Sequence, residues 1–111
     1  MIIQKPWGHE EIIEHNNNYV VKRLFMKAGH KCSLQYHNEK HETFVVLSGK
    51  LKFYVGVDID SIEEKILIPG DYYVVPPKLI HRMEGIEDSL YLEASTSQLD
   101  DVVRLKDEYN R

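Results

Sequence analysis

Gln35, His37, Glu42 and His81 carry side chains that coordinate divalent ions, at spacings that let one ion gather all four. Gln35 and His37 are two apart, so on a strand both project to the same face. Glu42 follows a polar turn, Asn38 to His41, after which a neighbouring strand can begin. His81 lies just past Pro76-Pro77, a pair that forces an extended corner. Ligands drawn from three strands converge only inside a barrel. Imidazole suits ions such as Zn, Fe, Co and Ni, while carboxylate and amide oxygens pull toward harder ions, Mn especially. The expected cofactor is therefore one divalent metal ion: Mn, Zn, Co, Ni or Fe. A set of two His, one Glu and one Gln leaves positions open, which suits a catalytic ion better than a closed structural one. The plainer account, four ordinary polar turn residues, is weakened by the joint spacing of two separated segments. His9 and His15 are expected at the surface, and His30 and His41 in solvent or behind the ligands.

The elements that must position these residues read as short β-prone runs between turn residues. Tyr19 to Met26 alternates, with Val20, Leu24 and Met26 facing one way and Arg23 the other. Thr43 to Leu47 is β-branched and aromatic, and Ser48-Gly49-Lys50 turns into a strand that places Leu51, Phe53, Val55 and Val57 on one face. Asp58 to Ser61 forms a hairpin tip, and Lys65 to Ile68 is the returning strand. Pro69-Gly70-Asp71 turns the chain into Tyr72 to Val75, and Leu90 to Ala94 is the last clear strand. Leu99 to Tyr109 has the spacing of a short helix through Val102, Val103 and Leu105, but fits an extended arm equally well. About eight short strands with almost no helix predict an all-β fold, a small closed barrel.

At 111 residues the chain is one domain, residues 1–111. Its composition is 42% hydrophobic and 29% charged, with a net charge of −4, which supplies no basic face for nucleic acid. No apolar run approaches the roughly 18 to 20 residues that span a bilayer, so no membrane role is expected. Met1 to Pro6 lacks the basic and apolar regions of a signal peptide. The single Cys32 leaves no partner for an internal disulfide and fits a reducing compartment, so a cytoplasmic protein is expected.

The two metal-binding segments resemble the motifs of the cupin superfamily. Its first motif is a Gly, five residues, a His-x-His pair, a Glu shortly after, and a Gly beyond six more. Gly29 to Gly49 fits it with Gln35 in place of the leading His. The second is a Gly, five residues, Pro-x-Gly, then two residues and a His. Gly70 to His81 fits it with Lys78 in place of the Gly. Within the cupins, Ser33-Leu34-Gln35-Tyr36-His37 is similar to the Ser-Leu-Gln-x-His segment of type II mannose-6-phosphate isomerase domains. Lys5-Pro6-Trp7-Gly8 matches the start of that domain, and Tyr19 to Leu24 resembles the strand before its metal motif. Asp100-Asp101-Val102-Val103-Arg104 and Asp107 to Arg111 resemble its ending, with Asn110 where the family has Gly. Asn38-Glu39-Lys40 departs from the His and Arg that usually follow the first metal His. The guanylyltransferase domain that precedes this domain in bifunctional bacterial enzymes has no counterpart in these residues.

The resemblance implies a double-stranded β-helix, or jelly-roll barrel, and a metal-dependent sugar-phosphate isomerase. Aldose–ketose isomerisation moves a proton between C2 and C1 through an enediol. A metal ion holding O1 and O2 acidifies the C2 proton and stabilises the developing charge, and a base tuned toward neutral pH must stand beside it. Glu93 is the first candidate base, pointing opposite Leu92 and Ala94; Tyr54, His41 and Glu39 are others. Phosphate recognition needs cations near the barrel mouth, for which Lys22, Arg23, Lys40, Arg82 and Arg104 are candidates, Arg104 falling in the matched ending. Glu93, Arg104 and Lys40 are thus the expected catalytic set. Trp7 either stacks on a sugar ring or packs in the core or a dimer contact. The ligand is expected to be a sugar phosphate or nucleotide sugar. Two other readings are a sugar- or metabolite-binding cupin without turnover, acting as a sensor or accessory protein, and an oxidation at Fe, against which Gln35 argues. A homodimer is expected, with Met1-Ile2-Ile3 adding a strand to a partner barrel and covering an edge.

Overall fold

The computed structural model describes residues 1–109. The Asn110-Arg111 end of the family resemblance lies outside the described residues. Eleven strands and no helix form among those described: β1 (Ile2–Lys5), β2 (Gly8–His15), β3 (Val20–Met26), β4 (Leu34–Tyr36), β5 (Glu42–Ser48), β6 (Leu51–Gly56), β7 (Glu63–Leu67), β8 (Tyr72–Val75), β9 (Ile80–Gly85), β10 (Ser89–Ser95) and β11 (Val103–Lys106). They build two antiparallel sheets, ordered β1-β2-β3-β10-β5-β8 and β11-β4-β9-β6-β7.

Period-two alternation turns one side chain in two toward the space between the sheets. On β3 that places Val20, Lys22, Leu24 and Met26 inside and leaves Arg23 exposed; on β6 it buries Leu51, Phe53 and Val55. Leu24, Met26, Leu51, Phe53 and Val55 meet Phe44, Val46, Leu67, Val75, Met83, Tyr91 and Trp7 in one core. Phe44 packs edge-on against both Phe53 and Tyr91, with ring centroids 5.9 and 5.8 Å apart. A fully buried aromatic or aliphatic side chain here contributes about 1.5–3 kcal/mol.

One expectation changes, and two others gain detail. Val57 lies beyond the end of β6 in the hairpin turn and is 78% exposed, so the inward row ends at Val55. Leu99 to Tyr109, open between a short helix and an extended arm, is the extended arm, its β11 pairing with β4. Ile2 and Ile3 pair with Glu11 and Glu10 of the same chain, and β1 stands at the edge of its sheet.

The register fixes which residues share a row. Arg104, Gln35, His81 and Val55 stand opposite one another across β11, β4, β9 and β6. On the facing sheet, Lys22, Glu93, Phe44 and Tyr73 form one row and Ser95, Glu42 and Val75 another. Buried polar residues and core members thus share rows, Glu93 beside Phe44, Glu42 beside Val75 and His81 beside Val55.

The corner before β9 explains the second motif. Lys78, standing where the cupin motif has Gly, adopts φ 75°, the left-handed region. Its N–H donates to the carbonyl of His37 at 2.7 Å, and its Nζ to Asn38 Oδ1 at 2.6 Å. A side chain in this conformation costs roughly 1–2 kcal/mol, partly offset by the entropy glycine loses on folding. Lys78→Gly is expected to stabilise the fold by about 0.5–1 kcal/mol, a rise of a few degrees in Tm. Calorimetry showing a lower melting temperature would place more value on the Asn38 contact than on the relieved strain.

Candidate metal centre

His37, Glu42 and His81 arrive from the end of β4, the start of β5 and the start of β9, and are 3%, 2% and 2% exposed. One nitrogen or oxygen from each lies within 4.8 Å of the other two. Backbone carbonyls set both imidazoles. His37 Nδ1 donates to the carbonyl of Asp101 at 2.5 Å, and His81 Nδ1 to that of Leu79 at 2.9 Å. Such contacts fix the tautomer and aim Nε2 as the coordinating atom. Both Nε2 atoms face Glu42 Oε1, at 2.9 Å from His37 and 3.0 Å from His81. The His81 Nε2 finds no partner in hydrogen-bonding geometry.

Two imidazole lone pairs and a carboxylate oxygen converging on one buried point repel each other unless a cation or protons intervene. The donor set fits a divalent ion, with Nε2 of His37, Nε2 of His81 and a Glu42 oxygen as ligands. Burial works against the Glu42 charge, but the His37 and His81 contacts and the nearby Lys40 ammonium hold its carboxyl well below the usual range. For His37 burial opposes protonation, and the bond to Glu42 outweighs it and raises its pKa. Gln35 lines the same cavity opposite His81, its Oε1 accepting a hydrogen bond from Ser33 Oγ at 2.8 Å. It is the fourth candidate donor that the sequence singled out.

Lys40 is not at the rim. It is 5% exposed, with Nζ 3.3 Å from Glu42 Oε2 and 3.3 Å from Glu93 Oε2. Burial disfavours its charge, but the carboxylates of Glu93 and Glu42 prevail and raise its pKa. An ammonium so placed holds carboxylates rather than receiving phosphate from solvent. Glu93, on the inner face of β10, is pushed up to about 7, first by burial and then by the Glu42 charge. Its Oε2 has the Lys40 ion pair but no properly directed hydrogen bond. Buried ions cost several kcal/mol each and a well-packed apolar interior would avoid them. Such an arrangement marks a functional site better than a stabilising one.

The structure separates the remaining candidates. Tyr54 points out of the barrel to Glu84, with its hydroxyl donating to Oε1 at 2.5 Å and its pKa pushed up to about 12. Glu39 and His41 are exposed. Of the four base candidates, only Glu93 faces the cavity. Arg23 pairs with Glu11 on the outer face at 2.9 Å. Arg82 alternates with His81, away from the cavity, and binds Glu108 at 3.2 Å. Lys22 lies inside but is engaged by Glu10 at 3.3 Å. Arg104 lines the cavity mouth, is exposed, and has no ion pair among the described residues. Trp7 is buried in the core and forms part of the cavity wall. Cys32 also lines it, but burial pushes its thiol up to about 11, so it stays protonated.

One residue escaped the sequence reading. The Asp101 carboxylate accepts three successive backbone N–H groups, from Asn38 at 2.9 Å, Glu39 at 2.6 Å and Lys40 at 2.9 Å. The Asn38 and Glu39 bonds, with that of Lys40, hold its pKa down to about 2. Its one signal in the sequence was membership of the matched Asp-Asp-x-Val-Arg segment.

Residues 1–107 match the family described as Mannose-6-phosphate isomerase C-terminal. Mannose-1-phosphate guanylyltransferase of Escherichia coli (strain K12) is 33% identical over 114 aligned residues, covering 98% of this chain and 23% of that protein. The chain thus spans under a quarter of the length of this curated relative. The capsular polysaccharide assembling protein CapF from Staphylococcus aureus superposes with a TM-score of 0.83 at 19% identity, over 96% of this chain and 34% of that one. A Klebsiella pneumoniae protein with a double-stranded β-helix domain gives 0.76 at 17% identity, over 92% and 87% of the two chains. These likenesses show the fold: an all-β double-stranded β-helix of the cupin type. No helix among the described residues is long and apolar enough to cross a membrane.

Proposed function

Because the chain belongs to the family of mannose-6-phosphate isomerase C-terminal domains, we propose that it is a metal-dependent isomerase that interconverts aldose and ketose sugar phosphates. One observation carries this reading: a buried carboxyl with a pKa near 7, Glu93, faces the same cavity as the His37–Glu42–His81 cluster. A divalent ion held by that cluster and Gln35 supplies Lewis acidity toward adjacent sugar oxygens. Glu93, as carboxylate, takes the proton from C2 and, as the acid, delivers a proton to C1 after exchange with solvent. The O2 hydroxyl proton is transferred to O1, so that C1 becomes an alcohol and C2 a ketone. Lys40 holds Glu93 in place and favours its ionised form through the 3.3 Å contact. Arg104, which lines the cavity and has no ion pair among the described residues, receives the phosphate as a planar donor. We take the protein to be a cytoplasmic homodimer, since both sheets end in edge strands that a partner can cover; a monomeric mass by light scattering would exclude the dimer.

The test is to incubate Mn-loaded protein in D2O with mannose 6-phosphate and a panel of other aldose phosphates, following each by proton NMR. The expected result is deuterium at C2 of one sugar with its ketose appearing. A second reading, a sugar-binding protein without turnover, draws on the Lys40–Glu93 ion pair, which already engages the base. Absence of exchange at any carbon, from protein of verified metal content, would favour that reading.

A further inference from the structure

We propose that Asp101 is a positioning residue that makes the metal centre conditional on docking of the C-terminal arm, residues 99–109. The proposal rests on the reading of His37, Glu42 and His81 as metal ligands. Asp101 grips the segment between β4 and β5 twice. Its carboxylate gathers the N–H groups of Asn38, Glu39 and Lys40, and its own carbonyl orients the His37 ring. That segment ends at Glu42, so the two grips govern one ligand directly and set the approach of a second. The carboxylate also fixes the backbone of Lys40, whose ammonium reaches Glu42. Two residues on, β11 pairs with β4 and sets Arg104 opposite Gln35.

The arm is anchored at its end, where Glu108 pairs with Arg82 at 3.2 Å and Tyr109 packs against the core, but its β11 segment is lightly held. β11 is a four-residue edge strand with a register break between Arg104 and Lys106, and Arg104, Leu105 and Lys106 are exposed. Elements with few buried contacts open locally at low cost. When the arm lifts, His37 loses its acceptor and the Asn38–Lys40 turn loses three. A metal that binds only the assembled centre must then favour the docked arm, and by linkage the docked arm must favour the metal.

Cobalt(II) titrations followed by visible absorption test this on the full chain. Asp101→Ala is expected to weaken Co(II) binding by about 10- to 100-fold, the usual effect of removing a partner that orients a ligand, and to alter the d–d spectrum. Asp101→Asn, which keeps one accepting oxygen, should lose less. Asp100→Ala, at an exposed neighbour, should match wild type within about twofold. In the unaltered chain, saturating Zn(II) should slow hydrogen exchange both at 38–40 and along 103–106. The proposal is overturned if folded Asp101→Ala binds Co(II) with wild-type affinity and spectrum. It is equally overturned if metal leaves exchange of the arm unchanged, a measurement that decides the matter should the variant fail to fold. Failure of wild-type protein to bind Co(II) at all would sink the metal-centre reading beneath it, a result distinguishable from the other two.

Discussion

Glu93→Gln is expected to lower C2–H exchange and turnover by about 10²- to 10⁴-fold, the range that a positioned proton-transfer group contributes. Glutamine keeps the volume and the site's packing but cannot carry the proton. The same substitution removes a charge that burial and Glu42 both disfavour, so the fold should not weaken. Metal affinity should stay near wild type, because Glu93 is not among the converging ligand atoms. The pH profile gives an independent check. A base with a pKa of about 7 is idle when protonated, so kcat/KM should climb with pH and level off above that value. A bound cation offsets the Glu42 charge and lowers the Glu93 pKa, which moves the climb downward, never upward. Wild-type turnover in Glu93→Gln would remove Glu93 from the mechanism and leave no cavity-facing base among the four candidates.

Lys40→Met should have the largest effect on stability, a loss of about 3–5 kcal/mol in metal-free protein at pH 8. The substitution leaves the chain length and takes away the one cation within 3.3 Å of both Glu42 and Glu93. Two buried carboxylates then share the cavity without that cation. At lower pH Glu93 takes up a proton and the loss shrinks, because its pKa already lies far above that of an ordinary carboxyl. Metal restores counter-charge, so the deficit should also narrow with saturating Zn(II). Urea unfolding with chelator, and again with metal, measures both. Equal stability of variant and wild type at pH 8 would show that water, not Lys40, solvates these carboxylates.

The fold was legible because alternation has a physical cause visible one residue at a time. Leu51, Phe53 and Val55, or Val20, Leu24 and Met26, must share a face on any strand, and the structure buries each of them. The strands missed were those whose alternation is polar. β2, reading Gly-His-Glu-Glu-Ile-Ile-Glu-His, hydrogen-bonds between two neighbours without burying an apolar row. For the candidate site, spacing singled out His37, Glu42 and His81, which the structure brings within 4.8 Å of one another, and strand parity singled out Glu93, which lines the same cavity. The sequence reading expected Lys40 to meet phosphate, and it is instead the bridge between two buried carboxylates.

What the sequence by itself determined is the all-β barrel and a set of candidate donors at strand spacing, since side-chain type and two-residue parity are local properties. What only the tertiary structure decided is the partner of each charge. Whether Lys40 reaches solvent or Glu93, and whether Asp101 caps a turn 61 to 63 residues away, depends on which strands become neighbours. An ion pair or hydrogen bond acts over a few ångströms of space, and separation along the chain does not encode that distance.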